Sequence, residues 1–286
     1  MWAGITGISA DYVHPPSPLG EPIICCYHEK RCRFAGGRWT ERKERLMSSS
    51  SIQEAASFIE DRFPNCDCAF LGGSVARGAD TSHSDWDVII FDETQPGPFH
   101  GTMLYRGRRF EAFVMNRGTY RYFFDLGVES ALPTLQRLIA FGHPLRTHPE
   151  LEGLFQEALG DLEQGPPAWT RKELDKARYE ISEDWSDLSG SRCREESLLV
   201  AGSLFGRVQR FKLRAAGRWL GEGKWLYREL AACDADYCAR LYDAGERFFR
   251  DDCREPLLDI TTETLAPYGG LLLTGFAEGM VEDGEW

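Results

Sequence analysis

The sequence holds no run of the roughly 18 to 20 consecutive apolar residues that span a bilayer, and its first residues contain no basic region followed by an apolar stretch. Both absences lead to the expectation of a cytoplasmic protein. It also lacks the excess of positive charge that long nucleic-acid ligands favour: 33 Lys and Arg stand against 45 Asp and Glu, a net charge of -12. A disulfide framework is missing as well. The nine cysteines are odd in number and scattered, with only Cys25-Cys26 and Cys66-x-Cys68 close together, so free thiols in a reducing compartment are expected. Cys25, Cys26, His28 and Cys32 include four potential zinc ligands. Adjacent cysteines close a tetrahedron poorly and the spacing matches no finger pattern, so no zinc site is expected there. There is no internal repeat, and no low-complexity tract beyond four consecutive serines.

What is present is ordinary globular composition, 42% hydrophobic, 12% aromatic and 27% charged, which excludes wholesale disorder, collagen-like repeats and coiled coils. A length of 286 residues suits two compact domains. Residues 1–46 contain Pro15, Pro16 and Pro18, then Gly36 and Gly37, then the charged run Glu41 to Arg45. No apolar periodicity lasts two turns there, so a poorly ordered extension is expected. That segment carries seven basic and five acidic residues, so the remaining 26 basic and 40 acidic residues leave -14 on residues 47–286. Met47 precedes Ser48 to Ser51, a capping run, and then Ile52, Ala55, Ala56, Phe58 and Ile59 at helical spacing. The folded protein is expected to begin there, with Met47 a candidate start.

Cys68 to Leu71 and Trp86 to Phe91 predict buried strands, and 101–106 with 108–115, parted by Gly107, predict a hairpin. Residues 119–140 and 149–159 predict helices, with a short edge strand at 143–146 between them. After Gly165-Pro166-Pro167 the strand signals stop, and helices are predicted at 170–188, 194–217, 224–231, 234–250 and 256–265. The chain is therefore expected to be α+β: an α/β domain with a small mixed sheet over 47–160, then an all-α helical domain over 165–286.

The chemistry concentrates between Leu71 and Ile90. Gly72-Gly73-Ser74 after a strand lets backbone N–H groups face an anion, and the start of a helix adds favourable partial charge. A plain tight turn would use the same residues. Neither a P-loop nor a G-x-G-x-x-G motif is present. Eleven residues after Ser74 comes Asp85-Trp86-Asp87. Residues i and i+2 of a strand share a face, so the two carboxylates repel unless a cation lies between them. Magnesium suits such hard oxygen ligands and keeps phosphate oxygens in its shell. Glu111, polar among Phe110, Ala112, Phe113 and Val114, is the candidate third acid of a two-metal site, or else a solvent-facing residue of the hairpin.

Taken together, Gly72-Gly73-Ser74, Asp85-Trp86-Asp87 and Glu111 resemble the signature of the DNA polymerase β-like nucleotidyltransferase superfamily, and the helical half is similar to its small-molecule branch, which includes aminoglycoside nucleotidyltransferases. The motif covers about residues 70–115. The resemblance implies a mixed sheet of five or fewer strands, Gly73 and Ser74 at the triphosphate, and Asp85, Asp87 and Glu111 as ligands of two Mg²⁺ ions. Two departures limit it: the third acid is Glu where many members have Asp, and nothing in the motif defines the acceptor. A basic residue reaching the triphosphate from the second domain is also implied, for which Lys224 in the glycine-rich turn 217–224 is the candidate and Arg218 the reserve. The bland reading of Lys224 is a lysine that starts a surface helix.

Arg77, one turn past the cradle, either meets a phosphate in fork geometry or pairs with Asp80. Glu180, Glu183, Asp184 and Asp187 share one predicted helix. Asp184 is the candidate base for the acceptor hydroxyl, against the reading of a solvated acidic face. His83 is read as exposed. The expected function is nucleotidyl transfer from a nucleoside triphosphate, with ATP the expected donor, to a small cationic acceptor such as an antibiotic of the aminoglycoside kind, because an acidic cleft attracts cations and repels RNA. The alternatives are a transferase modifying tRNA or a protein, which a basic patch of Arg207, Arg210, Lys212, Arg214 and Arg218 would favour, and an inactive nucleotide-binding module.

Overall fold

Ala55, Phe58 and Ile59 recur at the spacing of one helix face and are buried together, which is why Ser49–Arg62 forms a helix (α1) lying on a sheet. In this computed structural model the described residues are 49–78, 80–149 and 151–279, and they belong to one compact unit. The expectations for residues 1–46, for the Cys25 to Cys32 cluster and for Met47 lie outside them. Among the described residues no helix is long and apolar enough to cross a membrane.

Five strands follow: β1 (Cys68–Leu71), β2 (Trp86–Phe91), β3 (Phe99–Tyr105), β4 (Arg108–Met115) and β5 (His143–Arg146). Their order is β3-β4-β2-β1-β5, with β2 and β4 parallel and the other neighbours antiparallel. The β3–β4 hairpin closes through Arg106 and Gly107, both at positive φ (48° and 78°), the geometry whose twist matches that of the flanking strands. A one-turn helix, α2 (Gly73–Ala76), sits between β1 and β2. The register pairs Asp87 with Glu111 and Val88 with Ala112, so the β2 and β4 side chains sort onto two faces together.

One face is apolar throughout: Trp86, Val88, Ile90, Phe110, Ala112 and Val114 pack against α1. The centre of that core is Phe110, fully buried and stacked on Phe58 at 4.0 Å between ring centroids. The other face divides. At one end Phe70, Ile89, Phe91 and Met115 pack with Phe124 of α3 (Tyr120–Glu129), Ile139 of α4 (Thr134–Ala140) and Ala158 of α5 (Leu151–Gln164). At the opposite end the same face carries Asp85, Asp87 and Glu111. The single helix expected over 119–140 is two helices, because Ala131 turns into the left-handed region (φ 57°) and Pro133, which has no N–H, starts a new one.

Beyond residue 165 the chain is helical: α6 (Arg171–Gly190), α7 (Arg194–Ala215), α8 (Lys224–Cys233), α9 (Ala235–Asp251) and α10 (Glu255–Leu265), ending in a short 3-10 turn. Thr170 and Glu173 form a reciprocal capping box at the start of α6, which is why the helix begins just past Pro166-Pro167. Leu188, Leu204, Val208, Leu241, Phe248 and Leu257 form a shared core, and Ala131 of the α3–α4 corner is buried in it. That corner is stitched to the helices. Leu220 N–H donates to Ala131 O at 2.8 Å, Arg137 donates to Leu220 O at 2.9 Å, and Trp219 Nε1–H donates to Leu162 O at 3.0 Å.

Truncating the central stack should tell most on stability. Phe110→Ala is expected to cost about 3 to 5 kcal/mol, read as a lower denaturation midpoint; a loss below about 1 kcal/mol would show that the α1 face is not the principal core of the sheet.

Candidate active site

Because Trp86 and Phe110 point into the α1 core, the residues between and beside them must point the other way. Asp87 on β2, with Asp85 just before the strand, and Arg109 and Glu111 on β4 therefore line one face, Asp87 in register with Glu111 and Asp85 bonded to Arg109. Neighbouring strands lie about 4.8 Å apart, so charges in register feel one another. Arg109 donates to Asp85 in a short charge-assisted bond. On the far side, His100 Nε2–H donates to Glu111 Oε1 at 2.7 Å, and its ring stacks on Phe113 at 4.6 Å. Asp87, between these two engaged acids, is pushed up to about 6. Burial is the main cause, followed by the charges of Glu111 and Asp85, with Arg77 opposing them.

The turn after β1 is pressed against this carboxylate. Gly72 N–H donates to the Asp87 carbonyl at 2.8 Å. Gly73 adopts φ +67°, and a Cβ placed there would stand 1.7 Å from Asp87 Oδ2. Only glycine fits, for reasons of both φ and space. Ser74 follows within α2, whose first-turn N–H groups have no partner inside the helix. The turn at Gly72 to Ser74 and the carboxylates are therefore one surface.

Arg77, at the end of α2, lies over the ring of Trp225 at 4.3 Å, and Arg228 lies against the same ring at 4.4 Å. Trp225 is the second residue of α8, so Lys224 begins its helix immediately beside the residue whose ring meets Arg77. Lys224 is exposed and makes no ion pair with a described residue. Arg218, the reserve candidate, instead approaches Glu229 and the Cys233 thiol.

Asp184 is brought to the α6–α7 contact, where Ser203 Oγ–H donates to it at 2.8 Å and Arg207 pairs with it at 3.2 Å. Glu183 and Asp187 are exposed on the same helix, and His83 is exposed beside Ser82. Four basic residues of α7 are engaged by acidic groups or a backbone carbonyl. Arg207 meets Asp184, Arg210 meets Glu222 at 2.9 Å, Lys212 meets Asp234 at 3.2 Å, and Arg214 is buried with its guanidinium donating to Pro167 O.

Among the described residues no three His, Cys, Asp or Glu side chains are gathered tightly enough to enclose a metal ion. Asp85 is turned to Arg109 and Glu111 to His100, as expected of like charges that relieve their repulsion with neighbouring donors. The chemistry of the set still fits magnesium. It consists of carboxylate oxygens on one face, and its central member is raised first by burial and then by the charges of the other two, effects that a divalent cation offsets.

Arg109, His100 and Trp225 were not singled out by sequence reasoning. The alternation of β4 does carry Arg109 onto the face of Glu111, and that signal was available. His100 is visible only once the hairpin register is known, and Trp225 only once α8 has docked.

No family model matches the chain, and neither does any curated protein. Among solved structures it is similar to a nucleotidyltransferase-like protein from Exiguobacterium sibiricum 255-15, at 10% identity over 76% of this chain and 73% of that one, with a TM-score of 0.43. That likeness carries no residue role across.

A carboxyl whose folded value of about 6 lies above its ordinary 3.8 costs stability once ionised. The folded state then binds the proton more tightly than the unfolded one, so the cost is absent below about pH 4, grows as pH rises, and is complete above about pH 6. In chelator, Asp87→Asn is expected to raise stability near pH 7.5 by on the order of 1 to 2 kcal/mol, discounted for partial exposure, and to leave it unchanged near pH 3.5. Thermal melts of the two chains that coincide at both pH values would refute the repulsion.

Proposed function

We propose that the chain is a magnesium-dependent nucleotidyltransferase, moving a nucleoside monophosphate from a nucleoside triphosphate, ATP being the expected donor, to a hydroxyl of a small acceptor. The observation that supports it best is the contact of Gly73 with Asp87, which joins an anion cradle to a repelling carboxylate set with no side chain between them. A triphosphate and its cations are the ligand pair that such a surface satisfies on both counts. In this reading residues 47–160 are the transferase domain, and residues 165–286 are the helical domain that supplies Lys224.

The acceptor oxygen bonds to the α-phosphorus as the bond to the β-bridging oxygen breaks, and the electron pair leaves with pyrophosphate. When bound at Asp85, Asp87 and Glu111, two Mg²⁺ ions supply charge neutralisation at the phosphates and lower the acceptor hydroxyl's pKa. The N–H groups of Gly73 and Ser74 hold non-bridging phosphate oxygens, and Arg77 and Lys224 bring positive charge to the β- and γ-phosphates. Trp225 keeps Arg77 extended toward that position. Asp184, already engaged by Arg207 and Ser203, enters only as a distal candidate for the hydroxyl proton; an Asp184→Asn chain that keeps its turnover removes it.

The net charge of -14 on residues 47–286 supports an acceptor with cationic character, the class to which aminoglycoside antibiotics belong. The pairing of Arg207, Arg210 and Lys212 with acids weighs against the tRNA alternative. An inactive module is disfavoured by the presence of all three acids.

Lys224→Ala is expected to remove one charge-assisted contact and so weaken magnesium–triphosphate binding about 10- to 150-fold with the fold intact, a loss of about 1.5 to 3 kcal/mol. Asp87→Asn is expected to abolish transfer of an α-labelled phosphate while changing nucleotide affinity less. A titration in which Lys224→Ala binds magnesium–ATP as tightly as the parent would overturn the two-sided grip.

A further inference from the structure

A cavity of about 430 Å³ opens between the β3–β4 hairpin and the α3–α4 corner, on the face of the sheet that carries the acids. Its floor is Phe113 with Met115, and its walls include Phe123, Leu126 and Leu135. No Asp, Glu, Lys or Arg lines it. Leu126, at 47% exposure, leaves apolar surface open to solvent at the rim.

The cavity is joined to the acids by one side chain. His100 lines it, stacks on Phe113, and donates to Glu111 at 2.7 Å while remaining 53% exposed. Glu111 lies two residues before Phe113 on the same face of β4, about 7 Å along the strand. A molecule with an apolar body in the cavity can therefore present a hydroxyl at the edge where His100 and Glu111 meet. The volume falls in the range of small-ligand pockets, and the lining, apolar with a few polar groups at one end, is what orients such ligands.

We propose that this cavity is the acceptor subsite, and that it takes a hydroxylated small molecule with an apolar, aromatic or alicyclic body. This rests on the nucleotidyl-transfer reading and narrows it. Cationic character, where the acceptor has it, belongs to the part outside the cavity facing the acids, and a polycation with no apolar body finds no partner inside.

The probe is 2-naphthol, with spermine as the polycation, on the full chain. Saturable binding of 2-naphthol to one site is expected, undisturbed by spermine. Leu126→Trp on α3 and, independently, Thr134→Trp on α4 fill the mouth from exposed positions. Each is expected to weaken 2-naphthol at least about tenfold while melting temperature and magnesium–triphosphate binding stay at the parent level. Absence of saturable binding, equal binding by the parent and both tryptophan chains, or displacement by spermine would each overturn the proposal. A chain that binds 2-naphthol in this pattern but no triphosphate would support the cavity as a ligand site and overturn the transferase reading instead.

Discussion

The register of β2 against β4 sets three carboxylates on one face of the sheet, and the repulsion among them organises what surrounds them. Shifting β2 by one residue against β4 would send Asp85 and Asp87 into the α1 core and bring Trp86 to the opposite face. The Phe58–Phe110 stack opposes such a shift. The packing of one face thus maintains an electrostatic conflict on the other, and Arg109 and His100 are the responses available to the outer two acids. Asp87 has no such neighbour in its own plane. Burial and the charges of Glu111 and Asp85 push it toward neutrality, opposed by Arg77 and a backbone hydrogen bond, and the backbone of Gly73 packs against it.

A second constraint fixes where the helices stand relative to this face. Arg137 on α4 reaches Leu220 O at 2.9 Å and Glu229 at 2.8 Å, and both members of that ion pair are largely withdrawn from water. Burial pulls the Arg137 pKa down and pushes Glu229 up, while each charge opposes the shift of the other. Such a pair adds little net stability, but removing one partner strands the other, at a cost of about 3 to 5 kcal/mol. It acts as a register pin between α4 and α8. With Ala131 seated in the helical core and Leu220 bonded to it, the α8 start has little freedom to leave the cradle.

Those two constraints explain which parts of the molecule were legible in the sequence. All five strands fell where apolar runs and alternation placed them, because burial on one or both faces selects those patterns directly. The Gly72 to Ser74 turn, the two aspartates and Glu111 were visible because they break the apolar rule at the mouths of buried strands. Less visible was anything decided by contact between distant segments. The α3–α4 break depends on Ala131 turning into a core built from residues beyond 180, so the local pattern read as one helix. The engagement of Asp184 by Arg207, and of the α7 cations by Glu222 and Asp234, belongs to the same class. Charge content is local, whereas charge pairing is tertiary.

Arg77 shows how the two constraints meet. Its charge opposes the shift of Asp87, and its guanidinium lies over the indole of Trp225. Arg228 covers the same ring, so Trp225 is fixed by contacts on α8 as well as by Arg77. The Arg77 side chain therefore gives up part of its freedom to the packing of its neighbour on α8. The sheet supplies the negative set, and the helices hold the positive one against it through a single aromatic ring.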